Sequence, residues 1–182
     1  MSQTQPVVRL LLKLSDRSAH LEYEIRNTLD QPIYVFDRLY DMRAEKLADD
    51  WAYRAVDGRT VVIARQVWPL PGGLRHENPE TPYGRRVAPH ATITGQFSVP
   101  LPLTEHDPYY FIVHGRARPV QVSIDSLVFR AGWAPAAQLH AGSEVELGGE
   151  KLTLFPFQEA LGRQQLTDSN SAAVSLSATV MP

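Results

Sequence analysis

Apolar and polar residues alternate along most of this chain, and that alternation predicts strands. Over residues 7–14, Val8, Leu10, Leu12 and Leu14 alternate with Arg9, Leu11 and Lys13. Leu21, Tyr23 and Ile25 then alternate with Glu22, Glu24 and Arg26, as in a strand with one wet face. After Asn27, Asp30 and Pro32 break the pattern with turn chemistry, Ile33, Tyr34, Val35 and Phe36 are apolar on both sides. That run suits a central strand covered on both faces. Residues 20–42 therefore read as a hairpin-like pair that anchors the fold. Fully burying four such side chains is worth roughly 6–12 kcal/mol.

The same pattern predicts strands at 51–56 and 60–67 around an Asp57-Gly58 turn, and at 92–99, 109–113 and 120–125. A segment through Leu127, Val128, Phe129 and Trp133 continues the last of these, with a bulge and a change of face. Gly148-Gly149 between residues 143–147 and 150–154 marks a two-residue hairpin that sets Val145 against Leu152 and Glu146 against Lys151. Residues 44–50 have the composition of a turn of helix, and 157–166 that of a short amphipathic helix through Phe157, Ala160, Leu161 and Gln164. Many short strands and hardly any helix predict an all-β, antiparallel sandwich of about eight or nine strands. The expected division is a sandwich over 1–156 and a C-terminal extension over 157–182, part helix and part strand-like tail.

The corner through Asn27, Thr28, Asp30, Pro32 and Ile33 resembles the second-to-third-strand corner of bacterial immunoglobulin-like modules. Residues 87–93, from Val87 and Pro89 to Thr92 and Ile93, resemble the turn entering a later strand there. Over residues 7–103 the chain is similar to the intracellular proteinase inhibitor domain of bacilli. The resemblance implies an immunoglobulin-like fold, and with it inhibition of a proteinase as one sub-case; activity itself does not follow from fold.

Composition narrows the chemistry. The 182 residues contain no cysteine, which removes disulfides, thiolate metal sites and cysteine nucleophiles. A formal charge of −2 gives no global reason to expect nucleic acid or an anionic membrane as partner. No apolar stretch approaches a signal-peptide core or a membrane span, so the expected location is the cytosol. The six histidines show no metal-ligand spacing, and no Gly-rich phosphate loop precedes a helix, so no cofactor is expected.

Two stretches are candidates for recognition. Residues 68–90 hold five of the 14 prolines and three glycines and read as one long loop. Within it Trp68, Arg75, Tyr83, Arg85 and Arg86 compose a basic-aromatic patch, and nearby Glu77 and Glu80 favour a protein partner over nucleic acid. In the tail, Val174, Leu176 and Val180 alternate with small polar residues, as in a strand able to join an open sheet edge of its own chain or of another copy. A third cluster, Glu105, His106 and Asp107, is the densest set of proton-transfer groups. It would become catalytic only if folding brought Ser98 or Ser123 to His106. The reading that follows is a non-enzymatic, cytosolic module that binds a protein through the long loop or a sheet edge. The alternative is an assembly subunit that self-associates through its tail; a hydrolase centred on His106 ranks below both.

Overall fold

A computed structural model describes residues 5–41, 44–48, 50, 52–72, 79–109 and 118–180. The chain is all-β, with one α-helix among the described residues. Its strands are β1 (Val7–Leu14), β2 (Ser18–Arg26), β3 (Ile33–Arg38), β4 (Tyr40–Asp41), β5 (Lys46–Leu47), β6 (Tyr53–Asp57), β7 (Thr60–Arg65) and β8 (Tyr83–Val87). They continue as β9 (Thr92–Pro100), β10 (Leu103–Thr104), β11 (Val120–Pro135), β12 (Ser143–Leu147), β13 (Glu150–Leu154), β14 (Gln165–Asp168) and β15 (Ala172–Val180), with helix α1 (Phe157–Arg163) after β13.

A three-stranded antiparallel sheet, β1-β2-β9, packs on a ten-stranded sheet whose path runs β10-β15-β11-β3-β8-β13-β12, with β6, β7 and β14 attached. Strand β11 is the spine of the larger sheet. Along one edge it pairs with β15 and β14, and along the other with β7 and β3. The sheet is mixed rather than antiparallel throughout, because β7 runs parallel to β11 and β10 parallel to β15. A bulge between Ile124 and Ser126 flips the alternation of β11. Before it the even position Ile124 faces the core; after it the odd positions Leu127, Phe129 and Trp133 do. Tyr23, Phe97 and Phe129 meet between the two layers, with ring centroids 4.5–6.1 Å apart.

Strands β2 and β3 are not a hairpin. The first pairs with β1 and β9, the second with β11 and β8, so residues 27–32 carry the chain from one layer to the other. Asn27, fully buried, rivets that crossing. Its amide donates to the carbonyls of Gln31, Val87 and Ala88, and its Oδ1 accepts from the N–H of Leu29. One side chain thus joins the β2–β3 corner to the β8–β9 corner. Asn27→Ala leaves buried carbonyls without their donor and is expected to cost about 2 kcal/mol, read as a lower urea midpoint at unchanged slope.

Strand β3 is covered on both faces, as its pattern predicts. Ile33 and Val35 face the main core, while Tyr34 and Phe36 pack edge-on against Phe155 in a second cluster closed by Phe157 and Ala160 of α1. The β12–β13 hairpin has the expected register, with Gly148 and Gly149 at φ +58° and +77°. The described residues of the 44–50 stretch do not make a turn of helix: Lys46–Leu47 pairs with Tyr40–Asp41 as a small two-stranded sheet. The strand expected at 109–113 lies outside the described residues except for Tyr109, which sits in a turn. Residues 157–180, set apart above as an extension, supply α1, β14 and β15. Of these, β15 lies inside the main sheet between β10 and β11. No helix among the described residues is long and apolar enough to cross a membrane.

Candidate functional site

The stretch 68–90 is not loop throughout, because residues 83–87 form β8, inside the sheet between β3 and β13. Its sequence, Tyr-Gly-Arg-Arg-Val, hides a strand since its alternation is charged on the inner side. Arg85 points between the layers at Asp37, a fully buried carboxylate in β3. The guanidinium binds both carboxylate oxygens, Nε to Oδ1 at 3.0 Å and Nη2 to Oδ2, and its Nη1 donates to the carbonyl of Thr94. The Tyr23 hydroxyl donates to Asp37 Oδ2 at 2.7 Å, and Arg38 Nη1 lies 3.6 Å from the same oxygen. Arg65, 1% exposed, donates to the backbone carbonyls of Asp37 and Ala48 and lies 4.1 Å over the Phe97 ring. Arg38 reaches outward to Glu150 with both Nε and Nη2. This network spans both sheets and consumes Arg85 internally.

The other members of the anticipated patch are dispersed. Trp68 is half-buried at the start of the loop, Tyr83 packs edge-on to Tyr40 at 6.0 Å, Arg86 is exposed, and Arg75 lies outside the described residues. Of the five, Trp68 leads to a constructed site. Its ring lies 4.9 Å from that of Tyr53, the first residue of β6, which is fully buried. The Tyr53 hydroxyl donates to Glu80 Oε2 at 2.8 Å. One tyrosine therefore holds both feet of the loop, Trp68 at its exit and Glu80 at its return.

His106 also stacks on Tyr53, its ring 6.4 Å away and within 8° of parallel. Backbone bonds between Arg54 and His106, a bond from Arg54 Nε to the Thr104 carbonyl and one from the Val56 N–H to Glu105 dock residues 104–106 along β6. Burial raises the Glu80 carboxyl despite the hydrogen bond from Tyr53, and burial together with Glu80 raises the Tyr53 phenol. Burial and the Arg54 charge lower His106, against the opposing pull of Asp107. A depressed histidine means that the folded form binds protons less readily than the unfolded chain. Its stability is complete above 6.5, the ordinary value, and is lost as pH falls through the depressed one. A melting temperature that drops across this window, and drops less in His106→Gln, is the expected result.

The catalytic possibility at His106 asked for a serine. Among the described residues no hydrogen bond joins His106 to one: Ser98 Oγ lies 3.0 Å from His20 Nδ1, and Ser123 pairs with Ser177 in the sheet. His20 is the centre of a triad-like set that sequence spacing did not reveal, because Ser98 reaches it across the β2–β9 ladder. Its Nε2 is 3.6 Å from Glu22 Oε1, but that oxygen is held by Lys13 at 2.5 Å. All four side chains stand on the wet outer face of the small sheet. A shallow groove of about 460 Å³ on that face is lined by Arg9, Leu11, Glu22, Glu24, Thr94 and Gln96. Among the described residues no three His, Asp or Glu side chains converge as a metal group would.

Val174 and Leu176 of the tail pack against the main core, and Val180 pairs with Val120, so their apolar face is used within the chain. The chain matches no family model, no curated protein and no solved structure.

Proposed function

We propose that this chain is a non-enzymatic protein-interaction module which presents the loop between Trp68 and Tyr83 to a protein partner. The observation that carries the reading is the Tyr53 clamp, which fixes both ends of the loop on a buried residue of the scaffold. Recognition loops are commonly built this way, variable in the middle and rigid at the base, because ordering the base in advance lowers the entropy cost of binding. The immunoglobulin-like form belongs to the same proposal. Its support is the β2–β3 crossing between layers through Asn27; the parallel pairings of β7 and β10 mark where the chain departs from that pattern. The proposal places the module in the cytosol, where a chain without cysteine needs no oxidising environment to fold.

The test is replacement of residues 69–79 by a Gly-Ser linker. The circular dichroism spectrum is expected to be unchanged, and a partner co-purified with the intact chain is expected to be lost. Retention of the partner overturns the reading. The inhibitor sub-case is tested with a panel of serine proteinases, where absence of inhibition removes it. A second reading, self-assembly through the tail, draws support from the free side of β15. Among the described residues that side is paired only at Ala178 and Thr179, by β10.

A further inference from the structure

Sheet edges invite pairing, and proteins usually defend them with charge. Here β1 carries Arg9 and Lys13 and β12 carries Glu144 and Glu146, β6 has residues 104–106 docked along it, and the uncharged β15 is covered by β10 at Ala178 and Thr179. Strand β9 differs. Among the described residues it pairs with β2 alone, and its nine residues, Thr92–Pro100, include no charged side chain. Thr94 turns its carbonyl away from β2 to accept from Arg85 at 2.8 Å. Because backbone groups alternate in direction along an antiparallel strand, Thr92, Gln96 and Ser98 present theirs on the same open side. Thr92, Thr94 and Gln96 are also exposed on the wet face.

We propose that β9 pairs with β9 of a second copy of this chain, antiparallel about a two-fold axis at Gln96. The two small sheets then join into one continuous sheet. Charge selects this occupant. A two-fold axis near the strand centre sets Arg9 against Lys13 at β1 and Glu144 against Glu146 at β12, so those edges repel themselves, whereas β9 carries no charge to do so. Full overlap of the strand sets Gln96 opposite Gln96 and Thr94 opposite Ser98 of the second copy, side chains able to hydrogen-bond across a strand pair. The Arg85 bond uses one lone pair of the Thr94 carbonyl and leaves the other for the ladder. This inference does not rest on the loop-binding reading.

Sedimentation of the purified full chain over a range of concentrations tests it. The expected result is a concentration-dependent dimer, weakened about fivefold by Gln96→Lys, which sets two like charges face to face at the axis for about 1 kcal/mol. Gln96→Pro, whose missing N–H lies on the open side, is expected to abolish it. Ser175→Lys, on the exposed side of β15, is expected to leave it intact. Thermal melts establish that the variants are folded. A monomer at every concentration overturns the proposal, as does a dimer indifferent to Gln96→Lys. A dimer broken by Ser175→Lys alone overturns it in favour of the tail strand.

Discussion

Asp37→Ala is expected to destabilise the fold by about 3–5 kcal/mol, the range for removing one partner of a buried ion pair. The reason is what remains. Arg85 and Arg38 side chains are 13% exposed, and without Asp37 the Arg85 charge loses the carboxylate that both its Nε and Nη2 bind, while Arg38 keeps Glu150. The Tyr23 hydroxyl loses its acceptor as well. The sign matters more than the count of bonds: such a network contributes little net stability over an apolar filling, yet half of it is worse than none. Urea unfolding at neutral pH reads the loss directly.

Protonation gives a second view of the same carboxylate. Burial pushes the Asp37 carboxyl up, but the charges of Arg85 and Arg38, with hydrogen bonds from Arg85 and Tyr23, hold it below the ordinary value of 3.8. A depressed folded-state pKa contributes stability that is complete above the unfolded value and lost as pH falls through the folded one. Asp37→Asn is therefore expected to flatten the acid limb of stability below pH 3.8 as well as to lower the plateau.

Gly95→Ala is expected to cost about 3 kcal/mol, the upper part of the range for overpacking. Gly95 and Tyr23 are direct partners across the β2–β9 ladder. A Cβ on Gly95 would lie 2.2 Å from the Tyr23 hydroxyl and 2.3 Å from its Cζ. The ring has nowhere to retreat, since it packs on Phe97 and Phe129 and its hydroxyl is bound to Asp37. Relieving the clash breaks that bond, so one methyl disturbs both core and charge network. A double-mutant cycle isolates the cause. In a Tyr23→Leu background the same Gly95→Ala change is expected to become neutral or slightly stabilising, because glycine in a strand is otherwise a weakness. An undiminished penalty in that background would refute the account.

Much of the fold was legible because local rules and tertiary packing agree. The Gly148-Gly149 turn needs only residues that tolerate positive φ, and β3 needs only four apolar neighbours, so both were readable from a short window. Where the reading failed, the deciding partner was remote in sequence. Tyr83–Val87 looked like loop because its arginines make sense as a strand only once Asp37, 48 residues away along the bond to Arg85, is placed beneath them. The supposed hairpin of β2 and β3 failed for a related reason: Asn27 marks a turn, but its bonds to Val87 and Ala88 make that turn a crossing between layers. At the candidate site, Trp68 was readable as an aromatic in a Pro-rich stretch. Its clamp through Tyr53 to Glu80 carries no pattern in the chain.

What the amino-acid order determined by itself was strand content, the tight glycine turn and which faces are apolar, since these follow from neighbours two residues apart. The tertiary structure alone decided which strands share a sheet and which charges are buried together. Those depend on long-range pairing, where alternation states that a face is buried but not what it is buried against.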